Sequence, residues 1–321
     1  MAVNQGNKGM ALVTRVFDTK RYNEMAYATS DDGVRLYYEI TGSGESIVFV
    51  HEYAGDYRSW EPQMRYFGKR YQCIAFNARG FPPSDVPEPV SSYSQQRACE
   101  DIGVILSELK LEKAHIVGLS MGGFAALHFG INYPDRAKSL VIAGCGYGAE
   151  KDQQEQFRKE VEATASLIEN SSGEEFAAKY TLGPTRVQFK NKDPRGWAEL
   201  RNQLAEHSQK GAANTMRGVQ KDRPSIFDLE AQMKKLRMPT LIMTGDEDEP
   251  CLIPGIFMKR IIPSAAMVVL PNSGHAINLE EPQAFNFAVD DFLSQVTADR
   301  WPVRDPLSST GSILGIDKES S

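Results

Sequence analysis

The sequence predicts an α/β fold: a mostly parallel central β-sheet flanked by helices, interrupted by one inserted helical segment. Three observations lead there. Short apolar runs alternate with helix-period segments, the order that builds a parallel sheet with crossover helices. One of those runs passes through Gly118-Leu119-Ser120-Met121-Gly122 directly into an Ala- and Gly-rich helical pattern. Between two later runs lies a charged, helix-periodic stretch of about 90 residues, far longer than an ordinary connection.

Residues 1–24 are polar and aperiodic and read as an N-terminal arm. Residues 25–29 and 34–40 form two strands, joined through the hairpin signal Asp31-Asp32-Gly33. The run at 47–50 is uninterruptedly apolar, as a strand buried on both faces must be. A helix is expected over 60–67, a strand at 73–76, and then a loop rich in Pro, Gly and Ser. Residues 94–109 are amphipathic, with Ala98, Ile102, Ile105 and Leu106 on one face. Strands follow at 114–117 and 139–143, on either side of the helix after Ser120. The alternation stops near Gly146 and resumes with a strand at 240–243, a helix at 253–261, a strand at 267–270 and a helix at 282–293. Within the interruption, 150–167 and 193–207 read as helices. The expected division is therefore a core of 25–146 and 237–296, a helical insertion of 147–236 and a C-terminal tail of 297–321 with little core of its own.

A chain of 321 residues, 41% hydrophobic and 24% charged, can bury a core that needs no disulfide staples. Its net charge of −6 and the lack of any dense Lys/Arg block argue against a nucleic-acid or anionic-membrane partner. No run approaches the roughly 18 apolar residues of a membrane span, and the first residues lack the apolar segment of a signal peptide. Cys73, Cys99, Cys145 and Cys251 are scattered, without C-x-x-C or metal-ligand spacing. A cytoplasmic, metal-free and cofactor-free protein is expected. Cys145 is the thiol to watch, just past a strand that should end near the site. For the two tails, disorder is the default and a homodimer contact the alternative.

Strand, tight turn, helix is the context in which G-x-S-x-G becomes a nucleophile elbow. The turn lifts a serine hydroxyl toward a base, and its crowding demands small residues at Gly118 and Gly122. Of five histidines, His115 and His128 sit inside expected elements, His207 falls in the insertion as a solvated residue, and His51 precedes the serine. His275 follows a strand and sits in a turn before the last helix, in the chain order Ser…Asp…His. The acid that would hold its tautomer comes from Asp246-Glu247-Asp248-Glu249; spacing favours Asp248, with Asp246 closing the turn. The oxyanion of acyl transfer needs two donors. Met121 N–H, at the start of the helix, is one, and Tyr53 N–H, in the turn His51-Glu52-Tyr53-Ala54-Gly55, is the choice for the other.

Taken in order, His51–Gly55, Asn77-Ala78-Arg79-Gly80-Phe81-Pro82-Pro83-Ser84-Asp85, Gly118–Gly123, Gly245–Asp248 and Ser273-Gly274-His275 resemble the α/β-hydrolase superfamily over about 26–146 and 237–296. Within it the chain looks most like small bacterial capped esterases and enol-lactonases. The resemblance implies that the helical insertion is a cap over the site. It departs at Glu52, where the superfamily usually has glycine, and at Asn77, where it usually has aspartate. A haloalkane dehalogenase or epoxide hydrolase would carry aspartate at the position of Ser120. The leading expectation is a serine hydrolase that cleaves a small carboxylic ester or lactone through an acyl-enzyme on Ser120. The alternatives are a C–C bond hydrolase of a diketone-like acid and a slow-turnover ligand sensor with a retained triad. A C–C hydrolase would want a cationic anchor; Arg186 and Arg217 are available, with surface positions the expectation for both.

Overall fold

The computed structural model describes residues 26–310 and Ile313. The expected arm, 1–24, lies outside the described residues, as does most of 311–321. Eight strands form one sheet: β1 (Ala26–Thr29), β2 (Arg35–Thr41), β3 (Ser46–Val50), β4 (Gln72–Phe76), β5 (Ala114–Leu119), β6 (Ala137–Ala143), β7 (Thr240–Gly245) and β8 (Ala265–Leu270). Their spatial order is β1-β2-β4-β3-β5-β6-β7-β8. The β1–β2 hairpin is antiparallel and joins β4 antiparallel; every pairing from β4 to β8 is parallel.

The apolar runs are explained by two buried faces. Along β3, Val48 and Val50 point into one core with Ile74, Ile116, Leu140 and Ile142. Ile47 and Phe49 point into the other with Val117, Val141 and Leu241. Successive side chains of a strand face opposite ways, so a strand covered on both sides has no polar position left.

The first three helices are α1 (Glu61–Phe67), α2 (Gln95–Glu108) and α3 (Met121–Asn132). Ser94 starts α2 by accepting the Arg97 N–H at 3.0 Å, the usual satisfaction of a free helix N-terminus. The segment between β6 and β7 contains helices and no strand: α4 (Gln154–Glu169), α5 (Gly173–Tyr180), α6 (Val187–Lys192), α7 (Pro194–Ala205), α8 (Gln209–Thr215) continuing as a π-helical turn (Met216–Lys221), and α9 (Glu230–Met233). Then come α10 (Glu249–Ile261), α11 (Ile277–Glu280) and α12 (Pro282–Thr297). Residues of α2, α3 and α10 cover one face of the sheet, and those of α1 and α12 the other.

Two expectations change. Ile226, Leu229, Met233 and Leu236 pack in the same core as Met258 and Ile262, so the insertion returns to the sheet before residue 237. The final helix runs on to Thr297, and the residues just after it, as far as Arg304, are pinned rather than loose. Trp301 meets Phe292 edge-on at 4.6 Å and donates its indole N–H to Ser264 O at 2.8 Å. The Arg304 guanidinium caps α10 by donating to the carbonyls of Lys259 and Arg260.

Phe49 is fully buried between Trp60, with ring centroids 5.0 Å apart, and Phe67, at 6.2 Å. Phe49→Ala is expected to cost about 3–5 kcal/mol, transfer and cavity terms together. Urea unfolding should show it as a lower midpoint with an unchanged slope.

Candidate active site

Ser120 sits at φ 54° and ψ −114°, a left-handed conformation that costs a non-glycine residue energy and persists only where its surroundings enforce it. Those surroundings are backbone. A Cβ on Gly118 would lie 2.0 Å from the carbonyl oxygen of Gly122, and one on Gly122 would lie 2.0 Å from that of Val50. The start of α3 is thus pressed against the ends of β5 and β3. Ser120 N–H donates to Ala143 O at 2.8 Å, which ties the turn to β6 as well. Met121 is the first residue of α3, and its N–H is one of those a helix start leaves without an intrahelical partner.

The expected acid and base sit after the next two strands. Asp248 follows β7 and His275 follows β8; both are buried, and His275 Nδ1 lies 2.8 Å from Asp248 Oδ2. Burial alone would raise the Asp248 carboxyl, but the imidazole beside it and the Cys251 thiol that hydrogen-bonds it outweigh that and hold it below the ordinary range. Of the other acids in this loop, Asp246 is exposed and accepts the Ser273 N–H at 2.9 Å, bracing the turn that carries His275, while Glu247 pairs with Gln188. Tyr147, just past β6, lays its ring edge-on to His275 at 5.2 Å. Ser120, His275, Tyr53 and Tyr147 line one cavity of about 360 Å³, whose other walls come from α4, α5 and the π-helical turn.

Asp248, Cys251 and His275 bring three potential ligand atoms within 4.8 Å of one another. Two of them, His275 Nδ1 and the Asp248 carboxylate, are already joined to each other, and burial pushes the Cys251 thiol far up, away from the thiolate a metal prefers. This donor set fits a base held by its carboxylate better than a metal centre.

The sequence matches the family model of the alpha/beta hydrolase fold over residues 45–282. The chain belongs to the alpha/beta hydrolases. Among curated relatives it is 28% identical over 274 residues to 3-oxoadipate enol-lactonase 1 of Acinetobacter baylyi, covering 84% of this chain and 96% of that one. It is 26% identical over 283 residues to a putative 2-succinyl-6-hydroxy-2,4-cyclohexadiene-1-carboxylate synthase of Bacillus subtilis, covering 84% and 98%. A solved esterase of Thermogutta terrifontis superposes with a TM-score of 0.76 at 23% identity, covering 85% of this chain and 99% of the other, a likeness of fold.

Both departures from the superfamily's turn sequences have a structural use. Asn77 is buried; its Oδ1 accepts the Tyr57 N–H at 2.7 Å and its amide donates to Phe81 O and Pro82 O. An aspartate could not make the last two bonds. Glu52 does not reach freely into the cavity. One of its oxygens accepts the Ala54 N–H at 2.8 Å and the other meets the guanidinium of Arg186. Burial raises the Glu52 carboxyl, but the Arg186 charge, the His275 ring and the Ala54 N–H together outweigh it and hold it below the ordinary range. The expected surface position for Arg186 is therefore corrected: this side chain is fully buried, between α5 and α6, while Arg217 does lie near the surface, paired with Glu162 and Glu169. Arg186 is needed inside because Glu52 would otherwise be a lone buried anion.

The remaining histidines sort by their partners. His51 Nε2 accepts the Ala78 N–H at 3.0 Å, so its Nδ1 donates to Glu52 O at 2.7 Å; it clamps the Tyr53 turn to the Asn77 loop. His115 bonds Ser139 inside the sheet, and burial lowers it to about 4, as it does His128. His207 is corrected from solvated to nearly buried: it stands edge-on to Phe81, with Nε2 3.4 Å from Asp56. Cys145 is buried, and burial raises its thiol well above the ordinary range, so it is no nucleophile. Tyr147, Arg186 and Arg223 are the cavity-region residues that no sequence pattern marks; each is a single residue in a loop or at a helix end.

Arg186→Met should lower the unfolding free energy by about 3–5 kcal/mol, because it strands the Glu52 charge. Adding Glu52→Gln should restore most of that loss in the same urea titration. The pair's contribution should be complete above the ordinary glutamate range and fade as the pH falls below that range and through the lower value Glu52 has in the folded state.

Proposed function

We propose that this alpha/beta hydrolase cleaves small carboxylic esters or lactones through an acyl-enzyme on Ser120. The observation that carries the reading is the single cavity onto which Ser120 and His275 both open, with His275 held from behind by Asp248. In this mechanism His275 Nε2 takes the Ser120 proton as Oγ attacks the carbonyl carbon. Asp248 accepts the Nδ1–H bond, which fixes the tautomer and stabilises the imidazolium. The developing oxyanion is met by the N–H groups of Met121 and Tyr53. Tyr53 is suited to this by its rigid support: its side chain is buried and its hydroxyl donates to Ala212 O at 3.1 Å. His275 then returns the proton to the leaving alcohol and activates the water that releases the acid.

The helical insertion serves as the cap. It supplies most of the cavity wall, so it selects the substrate while the sheet supplies the chemistry. Serine at position 120 favours this reaction over epoxide opening, for which the superfamily uses a carboxylate nucleophile. The names of the enol-lactonase and esterase relatives support the same class.

Mixing the enzyme with 4-nitrophenyl acetate or butyrate should give a burst of nitrophenol followed by steady turnover. Ser120→Ala should abolish both, lowering kcat by at least about 10,000-fold. Asp248→Asn should keep the fold and lower kcat by about 10,000-fold. A folded wild-type enzyme with neither burst nor turnover would overturn the reading.

A further inference from the structure

We propose that Arg223 is the anchor for an anionic group of the substrate, so that the enzyme selects esters or lactones that also carry a carboxylate. This rests on the hydrolase reading above and names its substrate class.

The argument starts from charge. Arg223 is buried, and no carboxylate pairs with it among the described residues. Every other buried arginine among the described residues has one: Arg79 meets Asp32 and Asp101, and Arg186 meets Glu52. A guanidinium has five N–H donors. Here one bonds the Gln220 side chain and one the carbonyl of Tyr147, and Nε is buried without any partner. An unpaired buried cation is expensive, and burial lowers this one only to about 10, so it stays charged at neutral pH.

Position makes the deficit useful. Arg223 and Gln220 line the same cavity as Ser120 and His275, whereas Arg186 stands outside that lining, already neutralised by Glu52. The guanidinium lies over the Phe124 ring, 3.7 Å from its centroid. Phe124 is one helical turn beyond Ser120, about 6 Å along the axis. Its other tether, Tyr147, is the residue whose ring stands against His275. The cation is thus coupled through one residue to the nucleophile and through another to the base. A carboxylate three or four carbons from the scissile carbonyl would bring to this site the counter-charge the protein omits. A fork of free N–H donors in a dry wall is the arrangement that recognises such a group with most discrimination.

The rival is a rivet: Arg223 only fastens the insertion to the loop after β6. Two measurements separate them. The first is a ratio of kcat/KM, for the 4-nitrophenyl monoester of glutaric acid against 4-nitrophenyl valerate, and for 4-acetoxybutanoate against butyl acetate. These pairs place the charge on the acyl and on the alcohol side. The wild type should favour the acid in at least one pair by 10-fold or more, and Arg223→Gln should cut that ratio on the order of 100-fold. Arg223→Lys should recover part of it. Any general damage cancels in the ratio. The second is binding: free glutarate should raise the melting temperature of the wild type and of Ser120→Ala, and not that of Arg223→Gln, while neutral valeramide should raise none.

Wild-type selectivity for neither acid, or a ratio that Arg223→Gln leaves unmoved, overturns the anchor while the hydrolase stands. If no ester is cleaved at all, the hydrolase reading fails, and the glutarate shift alone decides whether Arg223 binds anions. If Arg223→Gln does not fold, Arg223→Lys and the wild-type ratios carry the test.

Discussion

The structure depends on one close backbone crossing. Gly118, Gly122 and the end of β3 meet so tightly that no side chain fits between them, and that contact forces Ser120 into its left-handed conformation. Three further consequences follow from it. The first residue of α3 directly follows the serine. The turn after β3 is held where Tyr53 lines the same cavity as Ser120. And the ends of β7 and β8, two and three strands from β5 on one side, are left to deliver Asp248 and His275. Ser120, Asp248 and His275 come from parts of the chain far apart in sequence, but each hangs from the C-terminal end of a parallel strand, where an open α/β sheet presents its ligand crevice.

The Glu52–Arg186 pair extends this constraint into the helical insertion. Superfamily turns use glycine where this chain has Glu52, and a glycine leaves the turn to be shaped by its backbone alone. Here the carboxylate takes over that work from within, accepting the Ala54 N–H while its other oxygen binds a side chain of the insertion. The Tyr53 turn and the insertion therefore share a buried ion pair, and the Tyr53 hydroxyl adds a second link to α8. Such a pair adds little net stability because both charges are desolvated. What it does is couple two bodies: a displacement of the insertion would pull on the turn beside Ser120.

Much of the fold was legible because its signals are local. A strand buried on both faces must be uniformly apolar, and β3 and β5 are; a helix start needs a side-chain acceptor, and Ser94 stands before α2. Ser120, Asp248 and His275 could be picked out because each follows a strand in a fixed order, and the structure brings Asp248 and His275 into hydrogen bond and Ser120 to the cavity that His275 lines. The insertion was legible as helical but not in detail. Helices such as α6 and α8 span fewer than two or barely two turns, too short to display a period. Arg223 was not legible at all, and Arg186 was legible as a cation but not as a buried one. Whether an arginine lies on a surface or in a wall depends on which carboxylate or ring stands opposite, and those partners, Glu52 and Phe124, are 134 and 99 positions away.

Comparing these two arginines shows what a buried charge is for. Both are desolvated, both are single residues of the insertion, and both reach residues that follow strands of the sheet. Arg186 has its carboxylate within the protein, so its electrostatic demand is met before any ligand arrives, and its effect is on shape. Arg223 has aromatic faces and neutral oxygens instead. A ring face beneath a guanidinium returns on the order of 1–2 kcal/mol, far less than an ion pair in the same low-dielectric wall. The balance of that desolvation is not compensated by any group of the protein among the described residues. An interaction that only a bound anion can complete discriminates between substrates in a way that a completed pair does not, because the neutral analogue leaves the cation as unpaired as before.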